Sequence, residues 1–251
     1  KSYLVEIFKN AAKREKIINS MNRPAEKKFS WVQYKSRLIS PIRINNGVSF
    51  LQRFLPEFEK AEKEFGVPKE IIAAIIGIES SYGSITGRER VIDSLSTLAF
   101  DYPRRSKFFT KQLEHFLLLT REEKLDPLVM KGSYAGAMGY GQFIPSSYRS
   151  YAIDFDDDGI RNIVTNPIDA IGSVANYLSK HGWERNAIIA EALTKNDVNS
   201  NFKTSLSLKE PDALELASKI NLPNKKYLQI NFEDKEFWLG HKNLYVLSRY
   251  N

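Results

Sequence analysis

Apolar residues recur at helical spacing over most of the chain. Between Val48 and Phe65 they fall at Leu51, Phe54, Leu55, Phe58, Ala61 and Phe65, a helix that Pro56 either bends or restarts and Gly66 ends. Pro68 then opens a helix at a position where its missing N–H does no harm. In that helix Ile71, Ile72, Ala73, Ala74, Ile75, Ile76 and Ile78 cover every face, which predicts burial all round. Phe108, Phe109, Leu113, Phe116 and Leu117 mark another helix. Asn166, Pro167 and Asp169 form the start of one that carries Ile168, Ile171, Val174, Ala175 and Leu178. After about Asn196 the period changes. Leu228, Ile230 and Phe232 alternate with Gln229 and Asn231 as in a half-buried strand, and Phe237–Leu239 and Leu244–Leu247 read as further short strands. The fold class is mainly α (α+β), a helical body with a small antiparallel β segment near the C-terminus.

The apolar helix after Pro68 ends on Glu79. Burying a carboxylate is costly unless it is paired or protonated. Glu79 therefore has either a hidden partner or a retained proton. From the residues alone, a buried Glu bound to backbone or to an arginine is the commoner case.

A chain of 251 residues that is 42% hydrophobic can bury a substantial core and can hold more than one domain. Net charge +7 and a pI near 9.3 favour an anionic partner such as nucleic acid, an acidic glycan or anionic lipid. Lys and Arg are dispersed and build no basic arm, so nucleic acid is not expected. No stretch is long and apolar enough to span a membrane, and a monomer is expected. Cysteine is absent, which removes disulfides, thiol nucleophiles and Cys-ligated zinc. The three histidines, His115, His181 and His241, form no H-E-x-x-H motif, there is no G-x-S-x-G elbow, and GAMGYGQF is neither a P-loop nor G-x-G-x-x-G.

KGSYAGAMGYGQFIPSSY, Lys131–Tyr148, holds four glycines interleaved with Tyr134, Met138, Tyr140, Phe143 and Tyr148. Glycines let a ligand approach the backbone, aromatic faces suit sugar rings, and Ser133 and Gln142 supply hydrogen bonds. A binding-site wall is favoured over a flexible linker. In DFDDDGIRN, the residues Asp154, Asp156 and Asp158 followed by Gly159 match the first half of an EF-hand loop, with Ile160 at the position that gives a backbone carbonyl. The twelfth position is Thr165 rather than Glu. An acidic surface turn, with Asp169 merely favouring its helix N-terminus, is the bland alternative.

The blocks IIGIESSYG, YPRRSKFF, KGSYAGAMGYGQFIPSSY and DAIGSVANYLSKHGW resemble the membrane-bound lytic transglycosylase B family, enzymes that cleave the glycan strands of bacterial peptidoglycan. The resemblance runs from about Tyr34 to Asn251. It implies a goose-type lysozyme-like helical core with an additional helical domain and a small β domain. The expected division is an N-terminal helical region 1–67, a catalytic core 68–195 with an EF-hand-like loop 154–169, a β-containing domain 196–240, and a C-terminal strand 241–251 returning to the active site.

By resemblance, Glu79 is the single acid/base. Ser133, Gln142, Tyr34, Tyr177, Tyr250 and Asn251 line the sugar groove, with Tyr140 in its wall, and Arg104 and Arg105 hold the stem peptide. Asp169 closes a longer loop, so that Asp154, Asp156, Asp158, Ile160 and Asp169 bind a structural Ca²⁺; no cofactor is needed for catalysis. Expected partners are peptidoglycan glycan strands and stem peptides in the bacterial periplasm, with an outer-membrane lipoprotein as one form of the full precursor. Ordinary glycosidases use two carboxylates. No second one has a setting comparable to that of Glu79, and nothing in the sequence sets Asp93 or Asp101 apart from surface or cap residues. The resemblance therefore implies non-hydrolytic cleavage with a 1,6-anhydro product. The alternatives are a lysozyme- or chitinase-type hydrolase and a noncatalytic peptidoglycan-binding protein.

Overall fold

Helical spacing of apolar positions becomes a set of packed helices, and the one that bears Glu79 lies against several of the others. The computed structural model describes residues 2–22, 30–193, 228–231 and 237–250. Helices α1 (Ser2–Asn10) and α2 (Glu15–Asn22) lead to α3 (Trp31–Leu38) and α4 (Pro41–Arg53). The α3 start is a capping box between Ser30 and Gln33, which satisfies two backbone donors reciprocally. Pro56 restarts the chain as expected: α4 stops at Arg53 and α5 (Leu55–Phe65) follows with Pro56 in its first turn. Gly66, in the left-handed region at φ 74°, closes α5 and receives Trp183 Nε1 on its carbonyl at 2.9 Å.

There follow α6 (Lys69–Ser80), β1 (Glu89–Arg90), α7 (Val91–Asp101), a 3₁₀ turn at Pro103–Arg105, α8 (Ser106–Glu122), β2 (Lys131–Gly132), α9 (Pro145–Tyr151) and α10 (Pro167–Lys180). Helix α6 is not buried on every side. Ile72, Ala73, Ile75, Ile76 and Gly77 are buried, but Ala74 and Ile78, one turn apart, are exposed, Ile78 by 45%. An all-apolar helix thus leaves one stripe open to solvent, with Glu79 at its edge. Helix α7 is buried along nearly its whole length and pairs with α8, whose Phe109, Leu113, Phe116 and Leu119 fill the core. Buried Gln112 of α8 accepts from Ser146 N at 3.0 Å, which fixes the start of α9.

Among the described residues, β3 (Ala190–Leu193), β5 (Phe237–Gly240) and β4 (Leu228–Asn231) form an antiparallel sheet with β5 central. The expected strand is present over 228–231; Phe232 lies outside the described residues. The expected strand over Leu244–Leu247 is instead helix α11 (Lys242–Ser248). Buried Asn243 and Val246, with Leu247 and Tyr250 packed on the core, recur at helical spacing, and this outweighs the continuous apolar run. Asn243 also anchors the helix, accepting from Glu184 N and donating to the Glu184 and Ala187 carbonyls. β1 and β2 pair as a two-residue ladder that brings the glycine-rich block against α7.

Candidate active site

Glu79 sits at the C-terminal end of α6, half-buried. Burial alone pushes its carboxyl up from 4.5 to about 7, and among the described residues no hydrogen-bond or ion-pair partner meets it. Of the two readings left open by the sequence, the retained proton is the one this geometry supports. Just beyond, Ser81 (φ 49°) and Tyr82 (φ 59°) both take the left-handed conformation, which non-glycine residues adopt uncommonly and which turns the chain abruptly away from the helix.

Ser80 ties that end to the glycine-rich block: its hydroxyl donates to Tyr140 O at 2.7 Å and accepts from Gly83 N at 3.0 Å. A Cβ on Gly83 would lie 2.2 Å from the Tyr140 ring, so only glycine lets that ring sit there.

The block itself is a folded wall and not a linker. Ser133 accepts from Ala135 N and Ala137 N through its hydroxyl oxygen. Gln142, at φ 49°, donates through Nε2 to the carbonyls of Thr86 and Gly139. Those two acceptors fix the amide, and they leave Oε1 without a protein donor among the described residues. Tyr140 stacks on Phe50 of α4 at 6.2 Å between centroids.

The C-terminal turn joins the same wall. Tyr250 donates to Gly141 O at 2.8 Å, with its ring between Phe143 and Tyr177. Burial holds its phenol well above the ordinary range, and the neighbouring Glu79 charge adds to that. Tyr177 is turned to support: its hydroxyl donates to Arg249 O at 2.8 Å and its ring stacks on His181 at 3.9 Å. Tyr34 lies half-buried on α3, and Asn251 is outside the described residues. Arg104 and Arg105 are exposed on the 3₁₀ turn. The Arg105 guanidinium lies 4.4 Å from the Phe108 ring centroid, where cation–π attraction holds it on the aromatic face.

Asp93, which nothing in the sequence distinguished, is 1% exposed. Arg90 grips both its oxygens at 2.8–2.9 Å, Arg14 reaches it at 3.3 Å, and Ala12 N donates to it at 2.9 Å. The Arg90–Asp93 spacing of three on a helix start was the available signal; Arg14, 79 positions away, was not legible. Asp101 is bound by Lys13 at 2.9 Å.

In the acidic loop, Asp154, Asp156 and Asp169 bring carboxylate oxygens within 4.8 Å of one another. Asp169 is fully buried and accepts from Phe155 N (2.8 Å) and Asn162 N (2.6 Å), so it organises the loop as well as its helix start. Burial raises its carboxyl, with these two bonds opposing. The Asp158 carboxylate is turned aside onto Ile160 N at 2.8 Å, outside the group of three.

A desolvated carboxyl at a helix end that Ser80 ties to a glycine-rich wall of aromatics and amide groups is an arrangement suited to donating a proton within a sugar-binding groove. The family model "Transglycosylase SLT domain" matches residues 1–251. The chain is 39% identical over 264 residues to membrane-bound lytic murein transglycosylase B of Escherichia coli (strain K12), covering 99% of this chain and 73% of that one. Soluble lytic transglycosylase SltB1 from Pseudomonas aeruginosa is 42% identical with a TM-score of 0.85, covering 100% of this chain and 86% of that one. Escherichia coli lytic transglycosylase Slt35 in complex with calcium gives a TM-score of 0.88 at 36% identity, covering 100% and 81%. The chain belongs to the lytic transglycosylase family, enzymes that act on peptidoglycan. Among the described residues no helix is long and apolar enough to cross a membrane.

Proposed function

We propose that Glu79 is the sole acid and base of a non-hydrolytic cleavage of the N-acetylmuramic acid–N-acetylglucosamine β-1,4 bond of peptidoglycan. The observation behind this is a carboxyl raised to about 7 by burial alone, without a protein partner among the described residues. A group poised there is protonated often enough to donate and basic enough, once ionised, to accept. Glu79 gives its proton to the glycosidic oxygen as the C1–O bond breaks. The muramic N-acetyl carbonyl supports the developing cation at C1. The ionised Glu79 then takes the proton of the same sugar's 6-hydroxyl, whose oxygen bonds to C1 and closes the 1,6-anhydro ring. Glu79 ends as it began, and no water enters.

An ordinary inverting or retaining hydrolase would need a second carboxylate as base or nucleophile. Asp93 and Asp101 are both spent on ion pairs, which supports the intramolecular route. Ser133, Gln142, Tyr140, Tyr34, Tyr177, Tyr250 and Asn251 form the sugar groove in this reading. Gln142 Oε1 offers an acceptor, while Tyr177 and Tyr250 hold the wall through their bonds to Arg249 and Gly141. Arg104 and Arg105 take stem-peptide carboxylates, a planar contact that guanidinium suits.

The loop 154–169 fits a structural calcium ion. Its converging donors at Asp154, Asp156 and Asp169 are hard oxygens, and the cation would draw the loop together without joining the chemistry. The division into 1–67, 68–195, 196–240 and 241–251, and action in the bacterial periplasm, belong to the same proposal.

Glu79→Gln tests it: cleavage of purified peptidoglycan should fall by more than the roughly 10²–10⁴-fold typical of one proton transfer, since Glu79 acts twice, while glycan binding persists. Substantial turnover by the pure variant would remove Glu79 from the mechanism.

A further inference from the structure

Immediately after Glu79 the chain sends one side chain back across its own helix. The Tyr82 ring enters a slot between α4 and α6 whose two sides are glycines. An ideal Cβ on Gly47 of α4 would lie 2.3 Å from the Tyr82 hydroxyl, and one on Gly77 of α6 would lie 2.5 Å from it. At the end of the slot Tyr82 donates to Arg43 O at 3.1 Å, and Arg43 in return donates through a guanidinium nitrogen to Gly77 O at 3.2 Å. The two bonds run in opposite directions and join Arg43 of α4 both to Gly77 of α6 and to Tyr82 in the turn that follows it. Phe50 of α4 backs the arrangement, 5.4 Å from the Tyr82 ring and 6.2 Å from that of Tyr140. The far side of the α6 end is held by Ser80 on Tyr140 O.

Reaching the slot requires Tyr82 at φ 59°, directly after Ser81 at φ 49°. Such backbone persists only where its surroundings over-determine it.

We infer that Tyr82 is a positioning residue for the reaction: locked between Gly47 and Gly77, it fixes the Glu79-bearing end of α6 against α4, and turnover depends on this latch. The inference rests on Glu79 as the proton donor. Tyr82 needs no contact with substrate. Its effect is transmitted through Ser80 and Ser81, the two residues that separate it from Glu79, and through the Ser80 bond to the glycine-rich block. A displacement of about 1 Å at a reacting group can cost about 10²-fold in rate, so a small loosening of the latch should be visible.

Tyr82→Phe removes the Arg43 bond and keeps the ring. The expected result is a fall in kcat of about 10–10²-fold with KM and glycan binding unchanged. Gly47→Ala drives a methyl into the Tyr82 hydroxyl and should lower kcat comparably, although alanine is the better helix former. In the Gly47→Ala/Tyr82→Phe double variant the nearest remaining ring atom is 3.0 Å from that methyl, a contact relieved by a small shift, so the second substitution should add no further loss. Thermal melting alongside shows which variants are folded; should Gly47→Ala unfold the chain, Tyr82→Phe decides alone. Wild-type kcat in Tyr82→Phe, or the same Gly47→Ala penalty with and without the hydroxyl, overturns the latch. With Glu79→Gln assayed in parallel, an inactive Glu79→Gln beside a fully active Tyr82→Phe overturns the latch alone. An active Glu79→Gln overturns both the donor and the latch built on it.

Discussion

Replacing Glu79 by Gln preserves shape and removes the titrating proton, so its effect on stability reports the carboxyl's surroundings independently of activity. Burial raises the folded-state value from 4.5 to about 7. Below about 4.5 folded and unfolded chains are both protonated and the carboxyl has no pH-linked effect. Between there and about 7 the unfolded chain releases a proton that the folded protein keeps, so stability declines as pH rises. Above about 7 the cost is complete. At about 1.36 kcal/mol for each tenfold difference in proton affinity, the ceiling is about 3 kcal/mol. Some solvent reaches this half-buried group, which brings the expectation to about 2 kcal/mol. Glu79→Gln should therefore melt about 4–8 °C above wild type near pH 8 and converge with it near pH 4, at roughly 2–4 °C per kcal/mol for a chain of this size. Thermal unfolding across that range, followed by circular dichroism, is sufficient. A variant less stable than wild type near pH 8, with the deficit closing as pH falls, would mean that the carboxyl is ionised and held by a partner.

Alanine at both Arg104 and Arg105 should slow cleavage of peptide-bearing glycan more than that of bare glycan; equal losses on the two substrates would separate the pair from stem-peptide recognition. Gly141→Ala places a methyl 2.7 Å from the Tyr250 hydroxyl, an overlap expected to cost about 1–3 kcal/mol, and Tyr250→Phe in the same chain should recover part of the lost melting temperature. Calcium at about 1 mM, acting on a site with Kd on the order of 10⁻⁴ M, should add about 1.4 kcal/mol over chelator, and Asp169→Asn should abolish that gain. A melting temperature unmoved by calcium in the wild type would retire the cation site.

Much of this was legible along the chain because it depends on neighbours in sequence. Periodicity located α5, α6, α8 and α10, and Pro56 marked the break before α5. Glu79 stood out as a charge at the end of an apolar run, and the interleaved glycines and aromatics announced a wall. Other features depend on distance. Gly47, Gly77 and Tyr82 are each unremarkable alone, and only the packing of α4 on α6 makes them one device. Asp93 reads as a helix-start acid until Arg14 arrives from the N-terminal helices. The stretch after His241 reads as a strand by its apolar run, yet Asn243 and its bonds to 184 and 187 hold it as a helix.

The central claim is that one carboxyl cleaves the glycan without water, and the products record it directly. Purified peptidoglycan digested by the wild-type chain and resolved by mass spectrometry should yield muropeptides that are each one water lighter than hydrolytic fragments and that resist borohydride reduction, with none released by Glu79→Gln. Fragments that are mainly reducible and carry the added water would contradict the account and place the enzyme with the hydrolases.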